Sequence, residues 1–419
     1  MDDDSQTPVL KKRRTPAEWF RKYFLEGQEL AGSSTYEVDA FLGDETNRPS
    51  EEEQFVQRNR KFIAFGVPLG CGASEFLKRS GSFLYWCAAV KHSFYFLYPT
   101  HWHMPVTMIV GALVAGMTSE GGGAIAFPVM TFILHMAPKN GRDFSIVIQS
   151  IAMTMSLFTI IFMRLEIEWR AITFAVAGSI PGIIFGFHFV DPALTAPQKK
   201  MLFVSIWSSF AFALWLLNRE RKRRTVPNIQ QFCKWKAVVL FVTGVVGGIF
   251  TSFAGSGLDI CIFAVITLLF SVSEKTATPT TVVSMALCSM FGFYWRAVIM
   301  GDVEQIVYDY IKVTVPVSIT LAPLGSFLGS HFHRQVLANL VYFFEFLAML
   351  GFLSTRPAWS LIAASACILL VGFFLFSYVS RKGKQLLLAQ EGTALRQLVQ
   401  QPLKPGLDDG DKDAKKEMV

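Results

Sequence analysis

Ser119-Glu120-Gly121-Gly122-Gly123 interrupts the apolar run from Val106 to Met136, and Ala254-Gly255-Ser256-Gly257 interrupts a second run from Ala237 to Phe270. Runs of about 18 or more residues with few charges have the length a bilayer core requires. Both lack the alternation of an amphipathic soluble helix. In hydrocarbon every backbone N–H and C=O needs a partner, so unwound chain survives only where it is buried in protein or lines a cavity. Glycines let the backbone turn sharply and approach a neighbour closely. The two stretches therefore predict a membrane bundle in which each broken helix folds as a hairpin.

Composition supports that class. Of the 419 residues, 52% are hydrophobic and only 17% charged, well short of the quarter usual in soluble domains. The charges crowd into Met1–Arg79, Asn218–Lys236 and Arg381–Val419. The net charge of +7 sits in segments flanking spans, the cytoplasmic signature of a membrane protein, and predicts no nucleic-acid partner. The six cysteines are scattered without a CxxC pair, which argues against a disulfide framework or a zinc site. The Met-Asp-Asp-Asp start is not a cleavable signal peptide. No Walker A, HExxH, nucleophile elbow or dinucleotide fingerprint stands out, so neither an enzyme nor an ATP-driven pump is expected, and no cofactor or metal.

The expected fold is an all-α polytopic bundle of two repeats. Residues 1–79 form a cytoplasmic N-terminal region in which Thr15–Leu25 could lie on the membrane surface, and 80–100 an additional span centred on Ser80–Tyr98. Residues 101–217 form transmembrane repeat 1, with spans at Phe144–Met163, Ala171–Phe189 and Met201–Leu217. A basic cytoplasmic loop occupies 218–236. Residues 237–353 form repeat 2, with spans near Thr280–Met300, Ile311–Ser330 and Val336–Leu353. An extra span at 354–380 and a cytoplasmic tail at 381–419 complete the chain.

The repeat rests on shared order. Gly111, Thr118 and Ser119 match Gly244, Thr251 and Ser252, and after a one-residue shift Gly121-Gly122-Gly123 matches Gly255-Ser256-Gly257. Ser150-Ile151-Ala152 then matches Ser284-Met285-Ala286, and Glu166-Ile167-Glu168 matches Asp302-Val303-Glu304. Gly182-x-x-x-Gly186 with His188 matches Gly325-x-x-x-Gly329 with His331. Basic segments at Arg219–Arg224 and Arg381–Lys384 belong on the cytoplasmic side, and an even number of crossings between them requires the second break to be a hairpin. Each half then crosses an odd number of times, so the halves are expected to be inverted, with both termini cytoplasmic.

Matched breaks in matched halves are the usual pointer to a transporter site. Free N–H groups at Gly121, Gly122, Gly123, Gly255, Ser256 and Gly257 suit an anion, and Thr118, Ser119, Thr251 and Ser252 add hydroxyls. The bland alternative is a tight turn between short helices. Ser150 and Ser284 either face the same cavity or bond between helices. Glu120 and Asp259, at the breaks, could handle a proton or cap the helices that follow. Glu345, an acid in an apolar span, could do the same or pair with a cation such as Arg296. The Gly-x-x-x-Gly helices read as close packing, and the histidines as capping groups rather than ligands.

At Gly121-Gly122-Gly123-x-x-x-x-Pro128 the sequence resembles the TauE/SafE family of sulfite exporters. The Ser-containing next span, Glu166-Ile167-Glu168-Trp169, the Gly-x-x-x-Gly helix and the repetition of the unit extend the resemblance over about Thr107 to Phe352. Ile262 stands in the second copy where a Pro is expected, and the long N-terminal region and the extra C-terminal span Leu361–Ser380 lie outside the family core. The resemblance implies a secondary transporter of small anions, commonly sulfite or organosulfonates. Its partners would be that substrate and the lipid bilayer, with a homo-oligomer compatible. A membrane-embedded sensor, an enzyme and an anion channel are the alternatives.

Overall fold

The computed structural model describes residues 90–91, 93–118, 120–219, 225–332 and 334–400. The tails, most of the Ser80–Tyr98 span, residues 220–224, Ser119 and His333 lie outside the described residues. The described chain is helical, with no β-strand and a single isolated bridge between Val226 and Val272.

Short turns at Phe94–Leu97 and Tyr98–His101 lead into α1 (His103–Met117). The chain then breaks, and α2 (Gly123–Pro128) runs on through a π segment at Val129–Ile133. α3 (Pro138–Phe162), α4 (Trp169–Phe185, with a π segment at Gly186–Val190) and α5 (Ala196–Arg219) follow. The same order recurs. α6 (Lys234–Ala254) ends at the second break, and α7 (Leu258–Ala264) continues through a π segment at Val265–Leu269. Then come α8 (Glu274–Tyr294, with a π segment at Trp295–Ile299), α9 (Gln305–His331), α10 (Arg334–Ser354) and the additional α11 (Trp359–Gln400). Seven described helices are long and apolar enough to cross a membrane, whereas His103–Met117, Gly123–Ile133 and Leu258–Leu269 are shorter.

Local chemistry sets the boundaries. Pro138 opens α3, where its missing N–H is no loss. The Ser273 hydroxyl accepts from the Thr276 N–H at the start of α8. Gly255, at φ +84°, closes α6 by returning its N–H to the Thr251 carbonyl. α3 begins six residues before the apolar span Phe144–Met163, so Lys139–Arg142, expected between spans, is helical.

Glycines join the halves crosswise. A methyl on Gly178 or Gly182 of α4 would land on the Phe241 or Val245 carbonyl of α6, and one on Gly244 or Gly248 would land on Ala175 or Ser179 of α4. The equivalent pair is α1 with α9: Gly116 abuts Ala322, and Gly325 abuts Leu113. Lipid tails supply no hydrophobic drive between helices, so close backbone packing of this kind takes its place. The small-residue spacing was legible in the sequence, but its partners in the opposite half were not.

The ends of the elements sort into two groups. Val226 pairs with Val272, the Glu168 carboxylate accepts the Ile229 N–H, and Thr276 donates to Glu166. These place the start of α8 and the end of α3 beside the basic loop. At the other end, Lys139 pairs with Asp302, and Asn140 with Glu304.

Candidate functional site

The two breaks meet. The Gly121 N–H donates to Asp259 Oδ2 at 2.8 Å, across 138 residues of sequence. Ser256 Oγ donates to the same oxygen at 2.7 Å, and the Ile260 N–H donates to Oδ1 at 2.9 Å. Gln149 of α3 reaches both breaks: its Nε2 donates to the Gly255 carbonyl at 3.0 Å, and its side chain fills the space beside Gly121 and Gly123. Ser145, one turn earlier, packs its Cβ where methyls on Gly123 and Gly255 would fall.

Of the hydroxyls expected to face a ligand, the three on described residues are engaged with their own helices. Thr118 donates to the Val114 carbonyl, Thr251 to Gly247 and Ser252 to Ile249. Thr118 Oγ1 also accepts the Glu120 N–H at 3.2 Å. Ser150 and Ser284 bond to the Val147 and Thr280 carbonyls of their own helices. The α3 side chains packed against the break glycines include Ser145 and Gln149.

Three acids surround this meeting point. Asp259 has the partners above. Glu120 is 1% exposed, and among the described residues neither of its carboxylate oxygens has a hydrogen-bond partner. Asp259 and Glu345 of α10 are the other acids whose charge reaches it. Glu345 is buried, with Oε2 unsatisfied. The ion pair with Arg296, one of the two readings of Glu345, is not formed, because Arg296 is taken by Asp143 at 2.7 and 3.0 Å and by Asp302. Buried charge seeks the nearest opposite charge, and that carboxylate stands on α3.

Arg296 belongs to a network that sequence reasoning missed. Arg142, itself 1% exposed, holds Asp143 at 2.8 Å and Asp191 at 2.5 Å, and its Nη1 donates to the Ser252 carbonyl at 3.3 Å. Lys199 binds the other Asp191 oxygen, and Lys139 reaches Asp302. Phe187 stacks beneath both guanidiniums, 5.3 Å from Arg142 and 5.6 Å from Arg296. Alternating signs link the second break to the Asp302 end. The available signals were Gln149, an amide within the apolar stretch of α3, and Arg296, a cation near the end of the α8 stretch.

The first break has a different neighbour. A cavity of about 450 Å³ is lined by Gly116 and Met117 at the end of α1, by Thr278 and Val282 of α8, and by Ser326 and Ser330 of α9. It extends to Thr225, Glu274 and Lys275 beside the basic loop. His188 and His331 each bond a carbonyl of their own helix, and among the described residues no cluster of His, Cys, Asp or Glu could hold a metal ion.

The family model for the sulfite exporter TauE/SafE matches residues 104–352, more than half of the chain, from α1 to the last turn of α10. The chain belongs to the TauE/SafE family. Neither a curated protein nor a solved structure matches it. Family and helices together make this TauE/SafE member an integral, multi-pass membrane protein, and the family is one of transporters, which suggests sulfite or a related anion as cargo. The match stops before α11, leaving that helix as an addition to the family core.

Proposed function

We propose that this TauE/SafE protein is a secondary transporter of small sulfur-containing anions, such as sulfite or sulfonates, which it binds where the two breaks meet. The observation that carries the reading is the Gly121 N–H bonded to an oxyanion of the opposite break. A backbone N–H freed by unwinding, in surroundings poor in water, is the donor an oxyanion needs. Glu120, Asp259 and Glu345 are the groups that would couple protons to the anion. Purified full-length protein in proteoliposomes should move sulfite saturably. Absence of protein-dependent flux for both sulfite and sulfonates would remove the substrate claim, and flux without saturation would make it a channel.

The two halves are, in this reading, inverted. α6 and the α7 stretch begin and end near the Val226–Val272 bridge, while the α2 stretch and α3 join near Lys139, which meets Asp302. Hairpins entering from opposite faces, with the anion between their tips, suit alternating access. The cavity would then open toward the cytoplasm with the basic loop, and the Arg142 network would close the other face. Both termini would be cytoplasmic. Epitope tags at the basic loop and beside Asp302 should report opposite sides of the membrane; the same side for both would end the inverted reading.

A further inference from the structure

The hydrogen bonds around Asp259 set it apart from the other buried aspartate near the breaks. Asp143 is gripped by two guanidiniums. Among the described residues no Lys, Arg or His stands against Asp259, which is 2% exposed. Its carboxylate is held by neutral donors: the Gly121 and Ile260 N–H groups and the Ser256 hydroxyl, with a further backbone bond from Gly257. The charged or titratable groups that face it are Glu120 from the first break, Cys261 on its own helix and Cys288 on α8, with Glu345 beyond Glu120. None of these supplies a countercharge. A second, separate feature points at the same spot. Gln149 is 1% exposed, its Oε1 has no partner, and it stands against Gly121.

Neutral N–H and O–H donors without a cation hold an oxyanion by short charge-assisted bonds, and they do not distinguish a carboxylate from a sulfite or sulfonate oxygen. We propose that the Gly121 N–H and Ser256 hydroxyl form a substrate-oxyanion subsite, and that Asp259 occupies it as a tethered anion which the substrate displaces. The inference rests on the transport reading above and gives its site a resident competitor. Asp259 keeps the donors satisfied while no substrate is bound, so the subsite never stands desolvated and empty. Incoming anion pushes the carboxylate out, and its return helps expel the anion. Gln149, which bonds the Gly255 carbonyl, ties the two sides of the seat together.

A site that is competent only when its internal occupant has left shows an affinity reduced by that fraction. Removing the charge while keeping a helix-capping side chain isolates this effect, because Asn and Ser cap helices about as well as Asp. The experiment compares full-length wild type, Asp259→Asn and Asp259→Ser in proteoliposomes with radiolabelled sulfite. The expected result is a KM several-fold lower in both variants, down to about tenfold if Asp259 fills the seat nine-tenths of the time. A KM that is unchanged or raised in a variant that still transports would overturn the proposal, since a capping role leaves KM alone. So would failure of both variants to fold, which would make the carboxylate a structural group that cannot be released. Absence of flux in the wild type is a different outcome and strikes the transport reading itself.

Discussion

The first break and the second turn the chain by different physical means. Gly255 at φ +84° and Gly257 at φ +157° give the second break backbone angles that L side chains rarely adopt. The first break has no glycine at positive φ, and Gly122 sits at φ −55°. Its glycines are needed for room: a methyl on Gly121 would strike the Gln149 amide and stand 3.1 Å from Asp259 Oδ2. One break thus uses glycine for conformation and the other for closeness. Their surroundings differ too. The second tip is fastened to Arg142 and its ion network, whereas α1 beside the first tip borders a cavity. Matched sequences sit in unmatched surroundings, one beside an ion network and the other beside a cavity.

That contrast can be broken most forcefully at Asp143. Asp143→Ala leaves two buried guanidiniums without their shared carboxylate and should cost about 3–5 kcal/mol. Thr278→Val, in the cavity by the first break, should stay within about 0.5 kcal/mol. Thermal unfolding of the detergent-solubilised full chain measures both, and equal losses would erase the distinction. Next in size is the glycine comparison. Gly255→Ala forces a left-handed residue and brings a Cβ within 2.7 Å of Ser145 Cβ, so about 1–3 kcal/mol of stability should go. Gly122→Ala comes tightest against the mobile end of Met108 at 3.3 Å, with Ala115 and Gly111 at ordinary contact distance, and should unfold close to wild type. A tolerated Gly255→Ala would show that the left-handed turn is not required.

The smallest effect belongs to Asp302 at the outer edge of the network. The hydrogen bond from Lys139 holds its carboxyl below the usual range, with help from the charges of Lys139 and Arg296. A depressed carboxyl contributes stability above its unfolded value of about 3.9 and loses it as pH falls through the folded value. Asp302→Asn should therefore cost under about 1 kcal/mol at neutral pH, as exposed pairs do. The difference from wild type should fade below about pH 4. A difference that persists at low pH would show that Asp302 acts through something other than its charge.

The breaks, the spans and the close-packed glycine helices were readable because each is a local pattern. A run of apolar residues, a cluster of glycines or a four-residue spacing needs no partner to be recognised. The ion network was not readable, for a related reason. Asn140-Gly141-Arg142-Asp143 looks like a polar turn between spans, and a hydropathy window treats its charges as a boundary. Pro138 at the first helical position was the cue that the helix had already begun. Arg296 was visible as a lone cation, but its carboxylate lies 153 residues away on α3 and not on Glu345's helix. The contact between the breaks was equally hidden, since Asp259 read as a proton carrier or a helix cap and its bond to Gly121 spans 138 residues.

The crosswise glycine packing has a consequence for how the chain is made. When the ribosome has delivered α1 to α5, the glycine faces of α1 and α4 are in the membrane and neither has its partner, because α6 and α9 are still to be synthesised. The first half must wait in the bilayer, unfinished, until the second arrives to cover it. A gene cut at the basic loop would give two products that persist only when made together.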